Sequence, residues 1–195
     1  MKILIVEDDD NSRVFLKRAL QSQGYEVECA GNGVEALEKA ALSAPGLIIS
    51  DIMMPRMDGF ELCRAIKLDE RLRAVPFVFY TATFVEQRDE KLAMSLGADR
   101  FLVKPMEPDE FFRVIGEVID KRRQNDGPAT GQATEASALD RMYAETVARK
   151  LEKKVGQLEE ALETIRASEE RFRTIFEQAA VGIAYVALDG DSAKA

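Results

Sequence analysis

The chain has 195 residues, enough for one full domain and an appendage but short for two. It is 46% hydrophobic and 32% charged with a formal net charge of -8, an ordinary balance for a globular protein and a poor one for tracking nucleic-acid phosphates. Histidine is absent, which excludes His-based zinc sites, Ser-His-Asp triads and a phosphohistidine on this chain.

Met1 leads straight into the apolar run 3–6 with no cleavage pattern, and no apolar run reaches membrane-spanning length. The expectation is a cytoplasmic chain without a membrane segment. Further apolar runs follow at 25–29, 47–50, 77–80 and 101–103. The third and fifth are continuous, as in strands covered on both faces. Between the runs, apolar residues recur at helical spacing. They are Val14, Leu16 and Leu20, then Val34, Leu37 and Ala41, then Phe60, Leu62, Cys63 and Ile66. Leu92, Ala93 and Leu96 follow, and Phe111, Phe112, Ile115 and Val118 close the series. Strand–helix alternation of this kind predicts an α/β fold, a doubly wound five-stranded parallel sheet with right-handed crossovers, over residues 1–123. Cys29 and Cys63 read as small apolar core residues.

Residues 124–138 lose the apolar period and read as a flexible linker. A long helix is expected over 139–173. Ala144, Ala148, Leu151, Val155, Leu158, Leu162 and Ile165 alternate four and three apart, the seam of a coiled coil, with eight acids and eight bases interspersed. Such a seam predicts a homodimer; a single amphipathic helix packed on the first domain is the alternative. Residues 174–195 read as the continuation of that helix into a strand, ending at the hairpin signal of Asp189 and Gly190.

In an open parallel sheet the site lies beyond the carboxyl ends of the strands, where the strand order switches. The residues there are Glu7, Asp8, Asp9 and Asp10 after the first strand, Asp51 after the third, Thr81 after the fourth and Lys104 after the fifth. Carboxylates gathered so closely repel one another unless a cation joins them. Oxygen-only donors suit Mg²⁺. A hard cation, a carboxylate nucleophile, an ammonium and a hydroxyl together make a phosphoryl-transfer site.

The motifs Ile3-Leu4-Ile5-Val6-Glu7-Asp8-Asp9, Ser50-Asp51-Ile52-Met53-Met54-Pro55-Arg56-Met57-Asp58-Gly59, Tyr80-Thr81-Ala82 and Leu102-Val103-Lys104-Pro105 resemble those of the CheY-like receiver domain of two-component response regulators, a flavodoxin-like fold. The resemblance implies that Asp51 is the phosphoacceptor, supplied by a histidine kinase or phosphotransfer protein. It implies Mg²⁺ held by Asp8, Asp51 and the Met53 carbonyl, with Glu7 acting through water. Thr81 would bind a phosphoryl oxygen and Phe101 would turn inward as Thr81 moves. Lys104 would pair with the carboxylate or its phosphate, and Lys104-Pro105 would be cis. Met53 and Thr83 offer no acid or amide to orient an attacking water, so a long-lived phosphoryl-aspartate is expected. Ser168-Glu169-Glu170-Arg171-Phe172-Arg173 and Val181-Gly182-Ile183-Ala184 resemble the start of a PAS sensor domain, with the chain expected to continue beyond it.

The reading is a receiver that signals through a coiled coil and is not itself an enzyme. The alternative is a constitutive coiled-coil scaffold with a non-signalling receiver fold. A flavodoxin would need a Gly- and hydroxyl-rich phosphate loop where Glu7-Asp8-Asp9-Asp10 stands. A dehalogenase-type phosphatase would need a carboxylate at Met53. Gly31-Asn32-Gly33 lacks the third glycine of a dinucleotide fingerprint and reads as a turn before a helix. No basic recognition helix follows the first domain, so DNA binding is not expected.

Overall fold

A computed structural model describes residues 1–82 and 87–124, and helical residues in short runs between 143 and 173. The expected linker lies almost wholly outside the described residues. Thr83 and the PAS-like stretch 174–195 also lie outside them. The chain divides into two units, Met1–Thr146 and Val147–Ala195.

In the first unit, five strands alternate with five helices: β1 (Lys2–Val6), α1 (Asp10–Ser22), β2 (Glu26–Ala30), α2 (Gly33–Leu42), β3 (Leu47–Ser50), α3 (Gly59–Leu68), β4 (Phe77–Thr81), α4 (Gln87–Ser95), β5 (Arg100–Val103) and α5 (Pro108–Gln124). The strands are all parallel in the order β2-β1-β3-β4-β5. The chain runs outward from β1 to β2 and then reverses to β3, so the switch in order falls between β1 and β3. That reversal sends α1 and α5 to one face and α2, α3 and α4 to the other.

The period-two alternation of strand side chains divides the core accordingly. Leu4, Val6, Ile48, Phe77 and Phe79 pack with Ala36, Phe60, Ile66 and Leu92. Ile3, Ile5, Leu47, Ile49 and Val78 pack with Leu16, Leu20, Phe111 and Ile115 on the opposite face. Strands buried on both sides must be apolar throughout, which is why β1 and β3 read as unbroken hydrophobic runs.

Several expectations are corrected in detail. Val14 is 47% exposed, because α1 buries the i,i+4 pair Leu16 and Leu20. The buried stripe of α2 is Gly33, Ala36 and Ala40; Val34 and Leu37 are half-buried, Leu37 against the core, and Ala41 is exposed. Small residues face inward there because α2 lies close to the loop before α3; a Cβ on Gly33 would stand 2.6 Å from Met57 Cγ. The fifth strand is covered on both faces at Phe101 and Leu102, which pack into opposite clusters, but at its end, on the sheet edge, Val103 is 40% exposed. Asn32 caps α2 by accepting from the Glu35 amide at 3.1 Å, so Gly31-Asn32-Gly33 is the turn before a helix. Cys63 is fully buried, and burial pushes its thiol up to about 12, so it stays neutral. Cys29 is only half-buried.

The described residues of the second unit are helical, and Leu151, Val155, Leu158, Leu162 and Ile165 are all exposed.

Candidate functional site

Three backbone hydrogen bonds extend the sheet by one residue at its carboxyl edge and thereby set the site. The Glu7 amide donates to Ala30 at 3.0 Å, the Asp51 amide to Val6 at 2.8 Å and the Lys104 amide to Thr81 at 2.8 Å. Each residue just past its strand is thus locked to the end of a neighbouring strand. Glu7, Asp51, Thr81 and Lys104 converge for that reason, though they are far apart in sequence.

The contacts around Asp51 differ between its two oxygens. Oδ1 accepts from the Thr81 hydroxyl at 2.7 Å and from the Ile52 amide at 2.5 Å. Oδ2 accepts from Lys104 Nζ at 3.0 Å. Among the described residues, Oδ1 thus has two donors and Oδ2 has one. Lys104 also pairs closely with Glu7 Oε2, and its ammonium lies 5.4 Å from the centre of the Tyr80 ring. The Glu7, Asp51 and Lys104 side chains are only 5%, 12% and 18% exposed, so these charges interact with little solvent screening.

Burial raises the pKa of Glu7; Lys104 offsets this in part, and the Asp51 charge adds to it. Burial works against the Lys104 ammonium, but the hydrogen bonds and charges of Glu7 and Asp51 prevail and raise its pKa. Both groups hold protons more firmly than in water. The cluster has more negative charge than one lysine satisfies.

The rest of the acidic run does other work. Asp8 is exposed, and no hydrogen bond or ion pair ties it to Asp51 or Lys104. Asp9 caps α1, accepting from the Ser12 amide at 2.7 Å, and that bond lowers its pKa. Asp10 pairs with Arg13, whose guanidinium also reaches the carbonyls of Glu7 and Asp8 at 2.6 and 3.3 Å. Among the described residues, no group of three or more carboxylate, Cys or His side chains is gathered as a ready metal cluster. The chemistry of the donors does fit a hard cation: oxygen only, with an unneutralised excess of charge at Glu7 and Asp51.

Met53 is 41% exposed beside the site. Phe101 is half-buried, its ring centre 6.2 Å from that of Phe79. The Lys104-Pro105 bond is cis, as the motif implied. Sequence reading passed over Ser50, whose hydroxyl donates to the Asp51 carbonyl at 2.7 Å, as well as Arg13 and the Tyr80 ring beneath Lys104. Arg13 had a local signal in its i,i+3 spacing from Asp10; the other two had none.

Residues 3–116 match the response regulator receiver domain family. The chain belongs to that family. The alkaline phosphatase synthesis transcriptional regulatory protein PhoP of Bacillus subtilis is 38% identical over 109 residues, covering 56% of this chain and 44% of that protein. Response regulator Rre1 of Synechocystis is 30% identical over 158 residues, covering 80% of this chain and 65% of Rre1. The chain therefore spans about half to two thirds of the length of these relatives. Among solved structures, the signal receiver domain of a histidine kinase from Syntrophus aciditrophicus is 35% identical with a TM-score of 0.59, covering 65% of this chain and 95% of that one. The chemotaxis response regulator CheY4 of Vibrio cholerae is 34% identical with a TM-score of 0.57, covering 60% and 97%. Membership supports a phosphoacceptor role for this receiver. No helix among its described residues is long and apolar enough to cross a membrane.

Proposed function

We propose that Asp51 accepts a phosphoryl group from a histidine kinase or phosphotransfer protein and that the receiver uses it as a switch. The observation that carries the reading is the convergence of the Asp51 carboxylate with the Thr81 hydroxyl, the Ile52 amide and the Lys104 ammonium at the carboxyl edge of the sheet. Oδ2 forms the new bond to phosphorus while the bond to the donor nitrogen breaks, its electrons staying with the donor. Lys104 is within reach to contact one phosphoryl oxygen, and the Thr81 hydroxyl leaves Oδ1 for another. Glu7, Asp8, Asp51 and the Met53 carbonyl would hold Mg²⁺, which when bound neutralises charge on the transferring group. Mg²⁺ and Lys104 compete for Glu7 in this arrangement.

Treatment with an acyl phosphate and Mg²⁺ tests the assignment. Mass spectrometry is expected to find one acid-labile phosphoryl adduct on the peptide containing Asp51, absent with EDTA and absent from Asp51→Asn. An adduct that survives in Asp51→Asn would overturn it.

Met53 brings no group that orients water toward the phosphoryl-aspartate. Met53→Asn is expected to shorten the lifetime of the adduct by about tenfold, one good hydrogen bond in the hydrolytic transition state. Unchanged decay in a filtered time course would count against this role for Met53.

Output is proposed to pass through a coiled coil. Its support is the exposed seam of Leu151, Val155, Leu158, Leu162 and Ile165, an apolar stripe at heptad spacing with helical conformation at its described residues. Sedimentation at micromolar concentration is expected to show a dimer that Leu158→Asp converts to monomer. A wild-type monomer would contradict it.

A further inference from the structure

Asp58 uses both of its carboxylate oxygens. Oδ1 accepts from the Glu61 amide at 2.8 Å, and the Glu61 side chain accepts from the Asp58 amide at 3.2 Å, a reciprocal cap on the first turn of α3. Oδ2 accepts from the hydroxyl of Tyr143 at 2.7 Å, across a sequence separation of 85 residues. Tyr143 lies beyond the family match, which ends at residue 116. Its ring stands edge-on to Phe60, with centres 6.3 Å apart and planes at 85°. The groove that receives it is formed by Phe60, Glu61 and Arg64 of α3 and by Leu96, just past α4. Burial, and then the bond to Asp58, raises the phenol's pKa, so the hydroxyl remains a donor throughout the neutral range.

The seat of Tyr143 is built directly on the phosphoacceptor loop. The Gly59 amide donates to the Ile52 carbonyl at 2.9 Å, and a Cβ on Gly59 would overlap the carbonyl oxygen of Asp51. The start of α3 therefore has no slack against the Asp51 backbone. A second line of contact runs through the rings. Phe60 meets Phe79 at 5.3 Å and Phe79 meets Phe101 at 6.2 Å. Tyr143 thus touches two elements that adjoin the site, the α3 cap and the aromatic stack that ends at Phe101.

We infer that Tyr143 is a clasp, which holds the helical run 143–145 on the α3–α4 groove while Asp51 is unmodified and lets go when Asp51 is phosphorylated. The inference rests on the reading of Asp51 as phosphoacceptor. Its direction follows from fit. The 2.7 Å hydroxyl bond and the edge-on ring contact are matched to the unmodified loop. A phosphoryl group that draws Thr81 and Lys104 off the Asp51 carboxylate shifts a loop with no slack, and a shifted α3 cap loosens both contacts. Linkage then requires the reverse effect: a docked Tyr143 opposes phosphorylation.

Beryllofluoride with Mg²⁺, standing in for the phosphoryl group, tests this on the full chain by calorimetric titration. Tyr143→Ala is expected to bind beryllofluoride on the order of fivefold more tightly than wild type. Tyr143→Phe, which keeps the ring and loses the hydroxyl, moves the same way by less. In parallel, hydrogen exchange at Glu61 and at residues 143–145 speeds up when beryllofluoride is added to wild type and not when it is added to Asp51→Asn. Equal or weaker binding in the Tyr143 variants, with wild type loading normally, overturns the clasp and leaves the Asp51 reading intact. Unchanged exchange in loaded wild type overturns it as well. No beryllofluoride binding by wild type overturns the Asp51 reading and the clasp with it.

Discussion

Lys104→Met is expected to destabilise the receiver by about 3 kcal/mol in EDTA, with most of that loss returning on addition of Mg²⁺. The magnitude follows from burial. Among the described residues, Lys104 is the cation paired with both Glu7 and Asp51, and removing one partner of a buried ionic cluster leaves the others as uncompensated charge. Methionine keeps the apolar stem, so the effect isolates the ammonium. The recovery follows from linkage. A cation at 100 times its Kd stabilises the folded state by about 2.7 kcal/mol, and without the lysine it meets no competitor for Glu7. The deficit also depends on pH, with a definite sign. Glu7 holds its proton above the ordinary value of 4.5 when folded. A carboxyl whose folded pKa is raised adds relative stability below its unfolded pKa and loses it as pH rises through the folded one. Removing the ammonium pushes Glu7 further the same way, so the gap between variant and wild type widens from pH 4 toward neutrality. Urea melts with EDTA and with Mg²⁺ at several pH values would check all three points. A deficit indifferent to Mg²⁺ would show that these carboxylates do not form a cation site.

Gly59→Ala is expected to cost about 3 kcal/mol, the upper range for forcing extra volume into a packed site, and to abolish acceptance of a phosphoryl group. Its added Cβ would meet the Asp51 carbonyl and stand 2.9 Å from Ile52 Cα. Both obstacles are backbone, so neither can swing aside as a side chain would. Relief requires moving α3 or the Asp51 loop, and the loop sets Oδ2 against Lys104. Gly116→Ala is the control. Nothing lies within 4 Å of a Cβ there, and alanine in the middle of α5 is expected to raise stability by about 1 kcal/mol. Thermal melts of the two variants, with phosphoryl uptake measured on each, decide the matter. A Gly59→Ala protein that melts and phosphorylates like wild type would refute the close-packing argument.

Much of the fold was legible because covered parallel strands must be apolar throughout. The run 47–50 predicted β3 without error, and residues 3–6 missed only the first residue of β1. Helix faces were legible where large residues lay inward, as with Phe60, Leu62, Cys63 and Ile66 in α3. They were misread where close approach demanded small ones. Of Val34, Leu37 and Ala41 in α2, the first two are only half-buried and the third is exposed, while Gly33, Ala36 and Ala40 are the buried residues. The edge status of β5 was equally hidden, since strand order is a property of the sheet and not of any one strand.

Sequence alone determined which residues stand at the carboxyl edge of the sheet. Glu7, Asp51, Thr81 and Lys104 fall at the carboxyl ends of strands, and strand periodicity is a local property that any single reading of the chain exposes. Tertiary structure decided how those groups are used. It sent Glu7 inward onto Lys104 and left Asp8 at the surface, because the turn into α1 takes Asp9 as its cap and Arg13 to hold the carbonyls behind it. It distributed hydrogen bonds unequally over Asp51, two to Oδ1 and one to Oδ2. It also brought Tyr143 to Asp58, a pairing without a sequence signal, because a contact across 85 residues depends on the path of the whole chain.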